Sequence, residues 1–141
     1  MKLLRAGINL IKSHEGCALT AYLDGGGLPT IAFGHTQGVK LGDICTSDEA
    51  DAWLKQDLDL TQAQIKHFIP DGLTDQEFSA LVSLVYNIGI GNFAASTVLQ
   101  KIKINDMEAA ADAMLMWQKI DGKPSNGLLA RRKAERDLFL S

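Results

Sequence analysis

Leu4, Ile8 and Ile11 recur at i, i+4 and i+7, a spacing that predicts an amphipathic helix over residues 2–14. The pattern then changes. Between Gly16 and Cys45, short apolar runs (19–23, 30–33 and 39–41) are divided by glycines, as in a small antiparallel sheet with tight turns. Helical periodicity returns at "TSDE", where Thr46 and Glu49 have the spacing of a capping box. Ala50, Leu54, Leu58, Thr61 and Ile65 mark one face of a long helix that ends before Pro70. A second capping box, Thr74 with Glu77, opens a helix with Phe78, Leu81, Val82 and Val85 on its apolar face. Gly89 and Gly91 in "NIGIGNF" are read as its stop signals. A short helix from Ser96 or Thr97 to about Ile102 follows. Asn105 or Asp106 caps the next, with Ala110, Ala113, Met114 and Trp117 inward. "DGKPSNG" reads as a loop, and a last helix covers residues 126–139.

The expected class is therefore α+β, mostly helical with one small sheet near the N-terminus. Residues 15–45 would form a small β lobe, and residues 1–14 with 67–141 a larger helical lobe. The helix 47–66 would join them, with a ligand cleft between the two. A chain of 141 residues fits one such domain. It has no apolar run long enough for a membrane span. The start, "MKLLRAGINLIKSHEG", is interrupted by Arg5, Asn9 and Lys12 and lacks the cleavage site of a secretory signal.

Charge changes the picture more than composition does. Residues 43–77 carry nine acids against Lys55 and Lys66, net −7, which leaves +4 on the rest of the chain. An overall charge of −3 does not suit a nucleic-acid binder. The basic remainder could still dock on a polyanion. Cys17 and Cys45 make neither a CxxC pair nor a disulfide framework, and read as two small, partly buried residues. A single bridge between them would need an oxidising compartment. His14, His35 and His67 have no metal-site spacing, so no metal is expected.

The candidate chemistry lies in "HEGCALTAYLDGGGLPT". Glu15 falls at the end of the first helix, where the helix dipole disfavours a negative charge and a general acid could keep its proton. Pairing with His14 or an arginine would explain it structurally. Asp24 before "GGG" is also an ordinary turn residue, and Thr30 an ordinary strand residue. His35 reads as a structural histidine bonded within the fold, since no serine or cysteine stands in a nucleophile elbow. Together, however, two carboxylates facing a cleft are what glycosidic cleavage requires, one to protonate the leaving oxygen and one to act on water.

At these residues the chain resembles the phage-type lysozymes of glycoside hydrolase family 24, which serve as endolysins. The family pattern is a Glu, an Asp nine positions on and a Thr six positions after that, leading into a Thr-Ile-Gly-x-Gly-His-Thr-like strand. Here these are Glu15, Asp24 and Thr30, with "TIAFGHT" at 30–36. "LTDQEFSALVSLVYNIGIGNF", "STVLQKI" and "GLLARRKAERDLFL" resemble three further blocks. Ala32 departs from the usual glycine, and "GGGLP" is richer in glycine than many relatives, with Pro29 directly before Thr30.

The resemblance implies a lysozyme-like fold and a muramidase. It would cut the β-1,4 bond between N-acetylmuramic acid and N-acetylglucosamine in bacterial peptidoglycan, with inversion and without a cofactor. Glu15 would be the general acid, Asp24 the carboxylate acting on water, and Thr30 a holder of that water. Tyr86 and Asn87 would contact sugar, and Arg131 or Arg132 would pair with an acid near the first helix and tune Glu15. A monomer without stable membrane association is implied. Lacking the signal-anchor of some relatives, it would leave the host cytoplasm through a separate holin. The rival readings are a lytic transglycosylase, which needs no Asp24, and a non-catalytic wall-binding module.

Overall fold

The computed structural model describes residues 1–141. The chain divides into two compact units: Ile11–Leu60, and Met1–Leu10 with Thr61–Ser141. Two helices run from one unit into the other, α1 (Arg5–Glu15) and α2 (Ser47–Lys66).

The unit Ile11–Leu60 is built on an antiparallel hairpin, β1 (Ala18–Leu23) and β2 (Pro29–Ala32), in which Tyr22 pairs with Thr30 and Leu23 with Pro29. The register is irregular between Ala18 and Tyr22. No strand forms at 39–41. Gly38 and Gly42 hold positive φ of 70° and 94°, and Lys40 N–H donates to the Asp43 carboxylate, so this stretch closes into turns. The third position on the sheet goes to Ile44, which bridges Thr20. The core comprises Ile31, Ala32, Cys45 and Ala50, with Phe33, Val39 and Trp53 packed against it. Both cysteines are free; Cys45 is buried, whereas Cys17, just beyond the α1 terminus, is exposed rather than partly buried. Burial pushes the Cys45 thiol up, with smaller contributions from Cys17 and Glu49.

The helix α2 spans the expected residues, and its capping box is formed in both directions: Thr46 N–H donates to Glu49 and Glu49 N–H to Thr46 Oγ1. Its predicted apolar face is buried at every position named, Ala50, Leu54, Leu58, Thr61 and Ile65.

In the other unit, α3 (Asp75–Ile88) carries the second capping box and supplies the centre of the core, with Phe78, Leu81, Val82 and Leu84 fully buried. It packs along α7 (Asn126–Phe139), while α5 (Thr97–Lys103) packs on α6 (Met107–Met114). Ser96 and Asp106 cap α5 and α6. Four expectations change here. α1 begins at Arg5, not residue 2; the residues before it are tied to α3 instead, with Lys2 N–H on Asp75 and Leu4 N–H on Ser79. Gly89 ends α3 at φ 85°, but Gly91 stops nothing: it lies inside a further short helix, α4 (Ile90–Ala94). The segment read as a loop contains a second hairpin, β3 (Lys119–Ile120) with β4 (Lys123–Pro124), turning at Asp121 and Gly122 with φ of 49° and 77°. Trp117, expected inward, is half-buried. No helix is long and apolar enough to cross a membrane.

Candidate active site

Glu15 is the last residue of α1 and half-buried. The helix stops there because Gly16 adopts φ 68°, with its N–H returned to Lys12 O at 3.0 Å. Asp24 follows β1 directly and anchors the connection to β2. Its Oδ1 accepts from Gly26 N–H at 2.9 Å and Leu28 N–H at 2.8 Å, and its own N–H donates to Leu28 O at 3.0 Å. Gly27, at φ 79°, closes the turn by donating to Asp24 O. This is an Asx-type turn, and it commits one carboxylate oxygen to the loop.

Thr30 is buried at the start of β2. Its hydroxyl donates to the same Leu28 carbonyl, at 2.8 Å. The hydroxyl proton is therefore spent within the loop, and Oγ1 offers lone pairs to any further partner. One carbonyl, that of Leu28, thus accepts from both Asp24 N–H and the Thr30 hydroxyl. Pro29 fits this arrangement, because Leu28 contributes the N–H and C=O that the loop needs while proline supplies neither donor nor freedom at φ.

Tyr22, which sequence reasoning passed over, belongs to the same region. It pairs with Thr30 across the hairpin. Its phenol is held neutral further into the alkaline range by burial first, then by the charges of Glu15 and Asp24. The register alone could have found Tyr22, as the residue opposite Thr30.

His35 is bound into this unit at three points. Its backbone pairs reciprocally with Ile31, its Nδ1 lies 2.8 Å from Asp57 Oδ2, and its ring stacks on Trp53 at 5.0 Å. Lys12 reaches from α1 to Asp51 at 3.2 Å and lies over the Phe33 ring. The remaining named residues stand in the other unit. Tyr86 and Asn87 are in the last turn of α3. Arg131 and Arg132 are buried on α7 around Glu135: Arg132 Nε lies 2.8 Å from Oε1, and Arg131 Nε and Ser83 Oγ lie 3.3 and 2.5 Å from Oε2. Burial pushes the Glu135 carboxyl up, opposed first by Arg132, then by Ser83 and Arg131. Arg132 Nη2 donates to Asn87 Oδ1 at 2.8 Å. No group of three or more His, Cys, Asp or Glu side chains is arranged to hold a metal ion.

Comparison with known proteins sets this geometry in a family. The sequence profile of Phage lysozyme matches residues 12–135. The chain is 40% identical to the endolysin of Salmonella phage P22 over 146 aligned positions, which cover 100% of this chain and 99% of that protein. Among solved structures, it is similar to the muramidase domain of SpmX from Asticaccaulis excentricus, with a TM-score of 0.91 and 36% identity over 99% of this chain and 98% of that one. It is also similar to a P22 lysozyme variant, with a TM-score of 0.85 and 39% identity over 100% and 99% of the two chains.

Proposed function

The chain belongs to the phage lysozyme family, and from that membership we propose a residue-level mechanism for a peptidoglycan-hydrolysing endolysin. Glu15 donates its proton to the glycosidic oxygen as the bond from N-acetylmuramic acid to N-acetylglucosamine breaks. Asp24 takes a proton from the attacking water, whose oxygen bonds to the anomeric carbon from the opposite face. The product is an inverted hemiacetal. Thr30 holds the water. Tyr86 and Asn87 are proposed as sugar contacts, and Arg131 or Arg132 as the residue that tunes Glu15 by pairing with an acid near the first helix.

The observation that carries this reading is the shared backbone of Leu28, its N–H and its C=O. It fixes Asp24 through Oδ1 and Thr30 through the hydroxyl proton, so a carboxylate oxygen and a hydroxyl lone pair remain as acceptors on one short loop. A water held by two acceptors donates both its hydrogens and keeps its own lone pairs for attack. Glycines 25–27 put no β-carbon in the way of a sugar at this loop; a β-carbon on any of them would crowd no neighbour, so the side left open is the outer one. Action as a monomer after holin-dependent release is part of the same proposal and rests on family membership.

The test is a set of isosteric variants on purified peptidoglycan. Glu15→Gln keeps the shape and removes the acid, and Asp24→Asn removes the base. Each is expected to lower turnover by about 10²-fold or more, with Thr30→Ala costing less. Products should carry free reducing ends, released first as the inverted anomer by NMR. Parent-level turnover by Glu15→Gln sinks the acid assignment. Anhydro-sugar ends identify a transglycosylase instead.

A further inference from the structure

The acid and the base of the proposed reaction stand on different elements. Asp24 and Thr30 are both bonded to the backbone of Leu28, so they belong to the hairpin. Glu15 closes α1. Between Glu15 and the first residue of β1 lie only Gly16 and Cys17, and Gly16 turns at φ 68° with open space where a β-carbon would stand. The joint is short but unpacked. Covalent continuity alone therefore does not fix the direction in which Glu15 approaches the hairpin.

Lys12 lies one turn before this joint. Its carbonyl accepts Gly16 N–H at 3.0 Å, so its backbone helps to end the helix beside Glu15. Its side chain meets two other parts of the same unit at once. Nζ lies 3.2 Å from Asp51 Oδ1 on α2, and 5.3 Å from the centre of the Phe33 ring. Phe33 follows β2 directly, three residues after Thr30, and packs on the core of the unit. His35, two positions further, is held by Asp57 and Trp53 of α2. One ammonium group thus joins the last turn of α1, the body of α2 and the end of the strand that carries Thr30. A cation in the last turn of α1 also suits the negative end of the helix dipole.

A surface ion pair and a surface cation–π contact each add little to stability, and the Lys12 and Asp51 side chains are 39% and 57% exposed. Rate responds far more steeply to geometry, since a 1 Å misplacement of a reacting group can cost roughly 10²-fold. The contact is therefore worth more to the position of Glu15 than to the stability of the fold. We infer that Lys12 is a positioning residue for the hydrolysis: by gripping Asp51 and Phe33 it holds Glu15 at its working distance from Asp24 and Thr30. The inference rests on the reading of Glu15 as the acid, and adds to it a residue that acts only through the geometry of α1.

The experiment measures kcat and KM on a soluble peptidoglycan oligosaccharide, and Tm for each variant. Lys12→Gln keeps helix propensity and removes the charge. The expected result is a kcat lowered about tenfold, with KM and Tm close to the parent's. Lys12→Arg, which can still pair with a carboxylate and lie over a ring, should restore most of the rate. Asp51→Asn should lower kcat by less, since Phe33 still engages the lysine. The double variant Lys12→Gln, Asp51→Asn should cost no more than Lys12→Gln alone, because Asp51 acts through Lys12. Lys55→Gln, which breaks the exposed pair with Asp59 on α2, should leave kcat unchanged. The proposal is overturned by a parent-level kcat in Lys12→Gln, by a loss confined to KM, by a loss that Lys12→Arg does not restore, by a loss matched by a fall in Tm, or by additive costs in the double variant. Glu15→Gln is assayed beside them. Parent-level turnover by that variant is failure of the catalytic reading, whereas an inactive Glu15→Gln beside an unaffected Lys12→Gln is failure of this inference alone.

Discussion

Ala32 holds φ 57° at the end of β2, a left-handed conformation that costs an L-residue about 1–2 kcal/mol relative to glycine. The reason is the tight return of the chain to His35, whose N–H and C=O both pair with Ile31. Ala32 is also buried in the core of its unit, so its methyl regains part of that cost, about 0.8 kcal/mol. Two substitutions separate the terms. Ala32→Gly should change stability by less than about 1 kcal/mol, because strain relief and the lost methyl nearly cancel. Ala32→Val should destabilise by about 2 kcal/mol or more, since a β-branched side chain fits neither the backbone nor the packed space. Urea unfolding of both variants decides it; a valine variant as stable as the parent would show that the turn relaxes freely. At this scale the candidate site was partly legible. Glu15, Asp24 and Thr30 stood out by spacing, and Ala32 as a departure from the family's glycine. The part played by Leu28 was not legible, because it is carried by backbone atoms that nearly every residue possesses. Tyr22 was hidden because the strand register decides what faces Thr30.

At the scale of elements, α1 approaches α3 closely at Gly7. A β-carbon built on Gly7 would lie 2.9 Å from Ser79 Cβ and 3.2 Å from Ser79 O. The same Ser79 accepts Leu4 N–H at 2.8 Å, just before α1 begins. Helix propensity alone predicts that Gly7→Ala stabilises by roughly 1 kcal/mol. Packing predicts the opposite, since overpacking costs roughly 1–3 kcal/mol and the Ser79 bond would be displaced as well. We expect packing to win, with a net loss of about 1–2 kcal/mol and a lower Tm; a rise in Tm would reverse the ranking. Elements whose signals are local were legible. Both capping boxes formed as the spacing required, and α7 covers the predicted 126–139. Elements decided by longer-range pairing were not. Residues 39–41 have strand-like composition but sit between two glycines at positive φ, and Ile44 takes the bridge instead. Gly91 looked like a stop because a glycine inside a helix is locally unfavourable, yet α4 runs through it and buries Phe93. The Asp121–Gly122 turn carried a hairpin signal, but strands of two residues leave no alternation to read.

For the molecule as a whole, charge is divided by unit rather than spread. Residues Ile11–Leu60 hold eight carboxylates against three lysines, net −5, while the remainder holds eleven cations against nine carboxylates, net +2. The two views of the protein then predict opposite responses to salt on an anionic wall. Taken as a body of charge −3, it should be repelled, and added salt should relieve the repulsion and raise activity. Taken unit by unit, the cationic part docks on the wall, and salt should weaken that docking once the Debye length falls to about 10 Å at 0.1 M. The second effect should dominate, because binding brings the cationic surface within a few ångströms of its partner while the net charge acts from farther away. The expectation is a rise in the KM for insoluble peptidoglycan between low and physiological ionic strength, with little change for a short uncharged oligosaccharide. Parallel salt titrations of both substrates test it. A flat or rising response on the wall polymer would mean that recognition depends on the neutral glycan alone.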